Sequence, residues 1–233
     1  YINKMNVLKN IVDINEIQWN EYVENHSFGN FFQTSDYYNI HKKEYKTIPF
    51  GYVVMKNDEI VGLIVAITYE NLFYPISLLT RRTIIMGGPL VSESIQNKNE
   101  IYQLLLDSIK KDKKVGVYIQ IRNLFDVSYD RKFFENNNYV FEDHLDILHF
   151  LNDIDEVIWS KISKNKRGNI NKSKNKGTTF KEITNNSDID NANILIQNTY
   201  KKVGLPVPSI KYFENARKYI NSDNLKYFGA FDN

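Results

Sequence analysis

Residues 50–69 read FGYVVMKNDEIVGLIVAITY. Two apolar, β-branched runs flank Asn57-Asp58, residue types that tolerate the positive φ of a two-residue turn, so the stretch predicts an antiparallel hairpin. Upstream, NEIQWNEYVENH (15–26) and TSDYYNIHKKEY (34–45) carry apolar residues at helical spacing, the second opening on the N-cap types Thr34 and Ser35. Downstream, RRTIIM (81–86) reads as a third strand closed by Gly87-Gly88-Pro89, and NEIYQLLLDSIKKDKK (99–114) as an amphipathic helix. VGVYIQIRN (115–123) reads as a buried strand, YDRKFFENNN (129–138) as a short helix and YVFEDHLDILHF (139–150) as a long strand. The expected order, β-α-α-β-β-β-α-β-α-β, is that of a mixed α/β sheet.

Composition agrees with a globular chain: 42% of the 233 residues are hydrophobic and 14% aromatic. There is no cysteine, which excludes disulfides, thiolate metal sites and cysteine nucleophiles and fits a reducing compartment. No apolar run reaches the ~18 residues of a membrane span, and the N-terminus lacks a signal peptide's apolar core, so a cytoplasmic location is expected. His26, His144 and His149 form no metal-ligating spacing.

Charge is unevenly placed. The formal net charge is +2, yet between Glu156 and Glu182 there is no acid and there are eight basic residues, which leaves the rest of the chain net acidic. Within that stretch lies WSKISKNKRGNINKSKNKG (159–177); Ile158 just before it defines one apolar stripe with Ile162 and Ile170. The spacing predicts a single cationic helix stopped by Gly177. TTFKEI (178–183) then reads as a strand, Asp190–Lys202 and Ser209–Ile220 as helices, and NLKYFGAF (224–231) as a strand. Phe228-Gly229 thus recurs where Phe50-Gly51 stood, after a strand and two helices. We read residues 1–152 as one complete unit and 153–233 as the first half of a second copy. Asn233 falls inside what this reading makes a hairpin turn, so the chain is expected to be part of a longer protein.

FFQTSDYY (31–38), GGPL (87–90), YIQIRN (118–123), the basic stretch with its Trp159, Arg167, Ile170, Lys172 and Gly177, and NTYKKVGLPVPSIKYF (198–213) follow one another in an order that resembles the Fem aminoacyltransferases, built of paired GNAT-like domains. The resemblance implies tandem GNAT-like acyltransferase domains, the second incomplete here. It implies transfer of an aminoacyl or acyl group onto an amine of a cell-wall or surface-polysaccharide precursor. The donor would be aminoacyl-tRNA or acyl-CoA, with no tightly bound cofactor, and the acceptor a nucleotide- or lipid-linked glycan or muropeptide. An acyl-CoA-dependent sugar N-acyltransferase and a non-catalytic RNA- or polyanion-binding module are the alternatives.

Candidate residues follow from both readings. A diphosphate-linked acceptor needs cations, and Arg binds its oxygens bidentately, so Arg167 leads, with Lys164, Lys172 and Lys176 behind it. Gln33 and Tyr37 match the family's Gln-x-x-x-aromatic motif in the acceptor pocket, although Gln33 reads equally as a helix-capping residue. Where the family often carries Lys four residues on, this sequence has His41, followed by Lys42. Arg122 and Asn123 end a strand, a place where polar side chains often face a cleft, although Arg122 reads equally as a structural salt-bridge partner. GGPL stands where a pyrophosphate loop would lie, but Ile84 occupies the Arg/Gln place and Pro89 lacks an N–H, so a tight turn is the expectation and CoA binding by the first unit is not. No catalytic residue is identifiable.

Overall fold

The computed structural model describes residues 6–70, 75–144, 152–203 and 209–232. The chain runs β1 (Val7–Asn10), α1 (Glu16–Glu24), α2 (Ser35–Lys43), β2 (Thr47–Lys56), β3 (Glu59–Tyr69), a one-turn α3 (Ser77–Thr80), β4 (Arg82–Met86), β5 (Leu90–Val91), α4 (Lys98–Lys111), β6 (Tyr118–Arg122) and α5 (Arg131–Asn136). Its first sheet has the order β1-β2-β3-β4-β6, with β5 added beside β3. All pairings are antiparallel except β4 with β6.

The hairpin of β2 and β3 organises the rest. Its turn residues Asn57 and Asp58 take φ values of 53° and 63°, the left-handed geometry that matches the strands' twist. β3 is buried on both faces, as its unbroken apolar run requires. Leu63, Val65 and Ile67 meet Trp19 and Val23 of α1 and Tyr37 and Tyr38 of α2. Ile64 and Ala66 meet Ile101, Leu105, Leu106 and Ile109 of α4, a seam at helical spacing. The helices thus cover both faces of one mixed sheet.

Two expectations change. β6 is shorter than 115–123 and only half buried: Ile119 and Ile121 face the α4 core, while Tyr118 and Arg122 are exposed. Residues 139–144 form no strand, and the remainder of the strand expected over 139–150, with His149, lies outside the described residues.

The basic stretch is also not one helix. It lies across α6 (Asp155–Lys161) and α7 (Lys164–Asn175), separated at Ile162-Ser163. Ser163 caps α7 by accepting from the Lys166 N–H, and Gly177 ends it at φ 91°. β7 (Thr179–Glu182), α8 (Asn186–Lys202), α9 (Ile210–Tyr219) and β8 (Phe228–Phe231) follow. β7 and β8 pair antiparallel in a two-stranded sheet of their own. Strand, helix, helix and antiparallel strand therefore occur twice, first as β1-α1-α2-β2 and again as β7-α8-α9-β8. α9 packs along α2.

Candidate functional site

The loop between β4 and β5 is held from beneath. Gly87 and Gly88 have φ values of 79° and 73°, which side chains rarely adopt. A Cβ at Gly88 would stand 2.4 Å from Asn123 Oδ1, and one at Gly87 would stand 2.5 Å from Asn30 Nδ2. Gln33 is fully buried and its Nε2 donates to both carbonyls, Gly87 O at 2.9 Å and Gly88 O at 3.0 Å. Its Oε1 accepts from the Asn30 N–H at 3.0 Å. The Gly87 N–H donates to Arg122 O at 2.8 Å. Both ends of the Gln33 amide are therefore engaged within the protein, and this turn does not present the Gly87 N–H to a diphosphate.

One turn further along α2, Tyr37 and His41 enter an aromatic cluster built where α2 meets α9. The His41 ring lies 4.6 Å from Tyr37, 5.8 Å from Tyr69 and 5.6 Å from Tyr212, centroid to centroid. Burial lowers the His41 pKa to about 4, so the imidazole is neutral at physiological pH, and its Nδ1 has no hydrogen-bond partner among the described residues. Burial drives the Tyr37 phenol far up, the nearby Tyr69 and Tyr212 phenols add to the rise and the Arg122 guanidinium opposes it. Arg82 stands 5.8 Å over the Tyr69 ring, and its Nε has no hydrogen-bond partner among the described residues. At the edge of the cluster the Glu44 carboxylate accepts from the Ser209 hydroxyl at 2.7 Å and from its N–H at 3.3 Å, supplying the N-cap that the Ser209 side chain does not give α9.

The elbow between α6 and α7 uses Arg167 internally. Its Nη1 donates to Ser160 O and Ile162 O at 2.8 Å each and reaches Trp159 O at 3.3 Å, capping the last carbonyls of α6. Lys164, Lys172 and Lys176 are exposed, as are Lys42 and Arg122. The Arg122 guanidinium donates to Gln120 Oε1 at 3.0 Å.

The structure thus brings Tyr37, His41 and Arg122 to one region, sets Gln33 beneath the glycine turn and leaves the lysines on the elbow. Sequence reasoning did not single out Tyr69, Arg82, Glu44 or Tyr212. Tyr69 and Arg82 face one another across β3 and β4, and Tyr212 arrives from a distant helix, so local spacing carries no signal of the cluster. His26 is a loop brace: Nδ1 accepts from the Phe28 N–H and Nε2 meets Val91 O. His144 is exposed. Among the described residues, no group of His, Asp and Glu could hold a metal, and no helix is long and apolar enough to cross a membrane.

A mixed sheet sandwiched by helices, followed by a repeat of its opening strand–helix–helix–strand order, defines a GNAT-like α/β fold. The crystal structure of FemX is similar over 95% of this chain, with a TM-score of 0.64 and 17% identity; the chain spans 57% of that FemX chain. A ribosomal-protein-alanine N-acetyltransferase from Brucella melitensis biovar Abortus 2308 matches 63% of this chain and 100% of its own, at 14% identity and a TM-score of 0.40. An aminoglycoside acetyltransferase from an uncultured soil metagenomic sample, solved with trehalose, matches 64% of this chain and 97% of its own, at 13% identity and a TM-score of 0.42. No family model and no curated protein matches the sequence.

Proposed function

We propose that the chain is part of an acyltransferase that moves an aminoacyl or acyl group onto an amine of a cell-wall or surface-polysaccharide precursor. The observation that carries this reading is the extent of the likeness to FemX. It covers 95% of the chain, and so extends well past the first unit into the elbow and the second strand–helix–helix–strand motif. On this reading residues 1–152 are one GNAT-like domain and 153–233 the opening of another.

The acceptor, a nucleotide- or lipid-linked glycan or muropeptide, carries phosphates. The exposed cations Arg122, Lys42, Lys164, Lys172 and Lys176 would meet them. Tyr37 and His41 would shape the acceptor pocket from behind, Gln33 would fix the glycine turn beside it, and Arg167 would hold the elbow. The internal bonding of that turn argues against acyl-CoA binding by the first unit and leaves the donor, aminoacyl-tRNA or acyl-CoA, to experiment. The chemistry would be attack of the acceptor amine on an ester or thioester carbonyl, with positioning and charge stabilisation supplying much of the rate.

Mass spectrometry of reactions containing the full-length protein, a uridine-diphosphate muropeptide and either charged tRNA or acetyl-CoA tests this. The expected result is an acceptor heavier by one aminoacyl residue with charged tRNA. An acetylated acceptor would assign the donor to CoA, and absence of any product while RNA binds in a salt-sensitive way would overturn the enzyme reading.

A further inference from the structure

The α6–α7 elbow holds no buried residue in either helix. An ordinary solvated surface would mix both signs of charge and keep apolar side chains scattered. The α7 half of the elbow carries cations only, and exposed apolar side chains gather on α6. From Val157 to Lys181 there is no acid, and Lys164 and Lys172 of α7 and Lys176 at its C-cap are all exposed. The acids are confined to the far end of α6, where Asp153 pairs with Lys161 and Asp155 and Glu156 occupy the first turn.

Beside this cationic helix, α6 and the residue before it expose apolar surface. Ile154 is 68% exposed, Val157 37% and Trp159 36%. Asp155, Glu156, Ile158, Trp159, Ile162 and Lys174 line an open cavity of about 450 Å³, in which the Lys174 ammonium stands 5.9 Å from the Trp159 ring centroid.

We propose that the elbow docks on an anionic lipid bilayer, α7 lying at headgroup level and Trp159 with its aliphatic neighbours entering the interface. The physical fit is specific. Lysine is a compact charge on an apolar stem that suits headgroup phosphates, and an indole settles at the boundary of water and acyl chains. A single-stranded nucleic acid would instead ask for several stacking aromatics and free guanidinium forks. Here Trp159 is the only aromatic of the elbow, and the Nη1 of its one arginine, Arg167, is turned onto the protein's own carbonyls. Exposed Ile154 and Val157 have no use on RNA. The inference does not depend on acyl transfer.

The test is vesicle flotation of the whole chain with phosphatidylglycerol–phosphatidylcholine vesicles and with phosphatidylcholine alone, at low and high salt, alongside tryptophan emission. The chain has two tryptophans. Trp19 is buried, with its indole N–H donating to Gln33 O, so a change in emission reports Trp159. We expect salt-sensitive flotation with the anionic vesicles only and a blue shift. Lys164→Ala, Lys172→Ala and Lys176→Ala together should weaken partition on the order of a hundredfold, roughly fivefold per lysine. Trp159→Ser should abolish the shift while leaving weak, charge-driven flotation. Because no side chain of the elbow is buried, these variants should keep the parent's circular dichroism and melting. The proposal is overturned by absence of flotation, by flotation indifferent to the triple lysine variant, by unchanged emission on binding, or by binding of poly-uridine RNA with none of vesicles.

Discussion

Gln33 is the side chain whose removal most directly separates a brace from a substrate contact. In Gln33→Leu the volume is nearly kept, but three hydrogen bonds are lost: two buried ones donated to Gly87 O and Gly88 O and a partly buried one accepted from the Asn30 N–H. Leaving buried partners unpaired costs about 1–3 kcal/mol each, so even at the low end the sum is about 3 kcal/mol. For a domain of this size that corresponds to a melting temperature lower by about 6–12 °C. Thermal melts followed by circular dichroism, without donor or acceptor, measure it. Gln33→Glu sharpens the test. A buried carboxylate facing two carbonyl oxygens has its folded pKa raised, so the variant should be least stable at neutral pH and should recover as pH falls far enough to protonate it and restore a donor. If Gln33→Leu melts within about 2 °C of the parent but loses acceptor binding, the bracing argument is refuted and Gln33 belongs to the substrate.

Three further outcomes are expected. His41 is neutral in the fold with a pKa of about 4, against 6.5 when unfolded. The unfolded chain therefore binds the extra proton between those values, and stability falls as pH drops through that window, by about 2 kcal/mol from pH 7 to pH 5; urea titrations should show this dependence and its loss in His41→Phe. Arg167→Lys cannot span the carbonyls of Ser160 and Ile162, so amide hydrogen exchange around residues 160–167 should speed up about tenfold while the global melt hardly moves, since the elbow buries nothing. Glu44→Ala removes the cap on α9 and should cost about 1 kcal/mol, read as faster exchange at the α9 N-terminus; no change there would mean α9 is held by Tyr212 packing alone.

What was legible in the sequence is what local rules decide. The hairpin announced itself because Asn57-Asp58 had to take positive φ, and the start of α2 because Thr34 offers its hydroxyl to the Tyr37 N–H. The break in the basic stretch was not legible. Gly168, the residue type least suited to a helix interior, sits within α7 in open space, whereas the break falls at Ser163, whose hydroxyl caps α7. The interactions that fix the elbow run from Arg167 back to carbonyls five to eight residues earlier, a spacing no helical period describes. In β6 the alternation of Tyr118, Gln120 and Arg122 with Ile119 and Ile121 was the signature of a half-buried strand, hidden by the apolar residues around it.

The same division governs the candidate site. Residue type alone selected Gln33, Tyr37, His41 and Arg122, but reach depends on which way each is held. Gln33 has its amide engaged at both ends, and Tyr37 and His41 are sealed among rings, so each can act on a ligand only through the shape it imposes. Arg122 is different: its backbone carbonyl anchors the glycine turn while its guanidinium stays exposed and is felt by the Tyr37 and Tyr69 phenols. It joins the braced turn to the aromatic cluster and still faces solvent. An anionic acceptor entering this face would therefore meet Arg122 first, and the loss of that one cation should weaken acceptor binding without the stability cost that removing Gln33 carries.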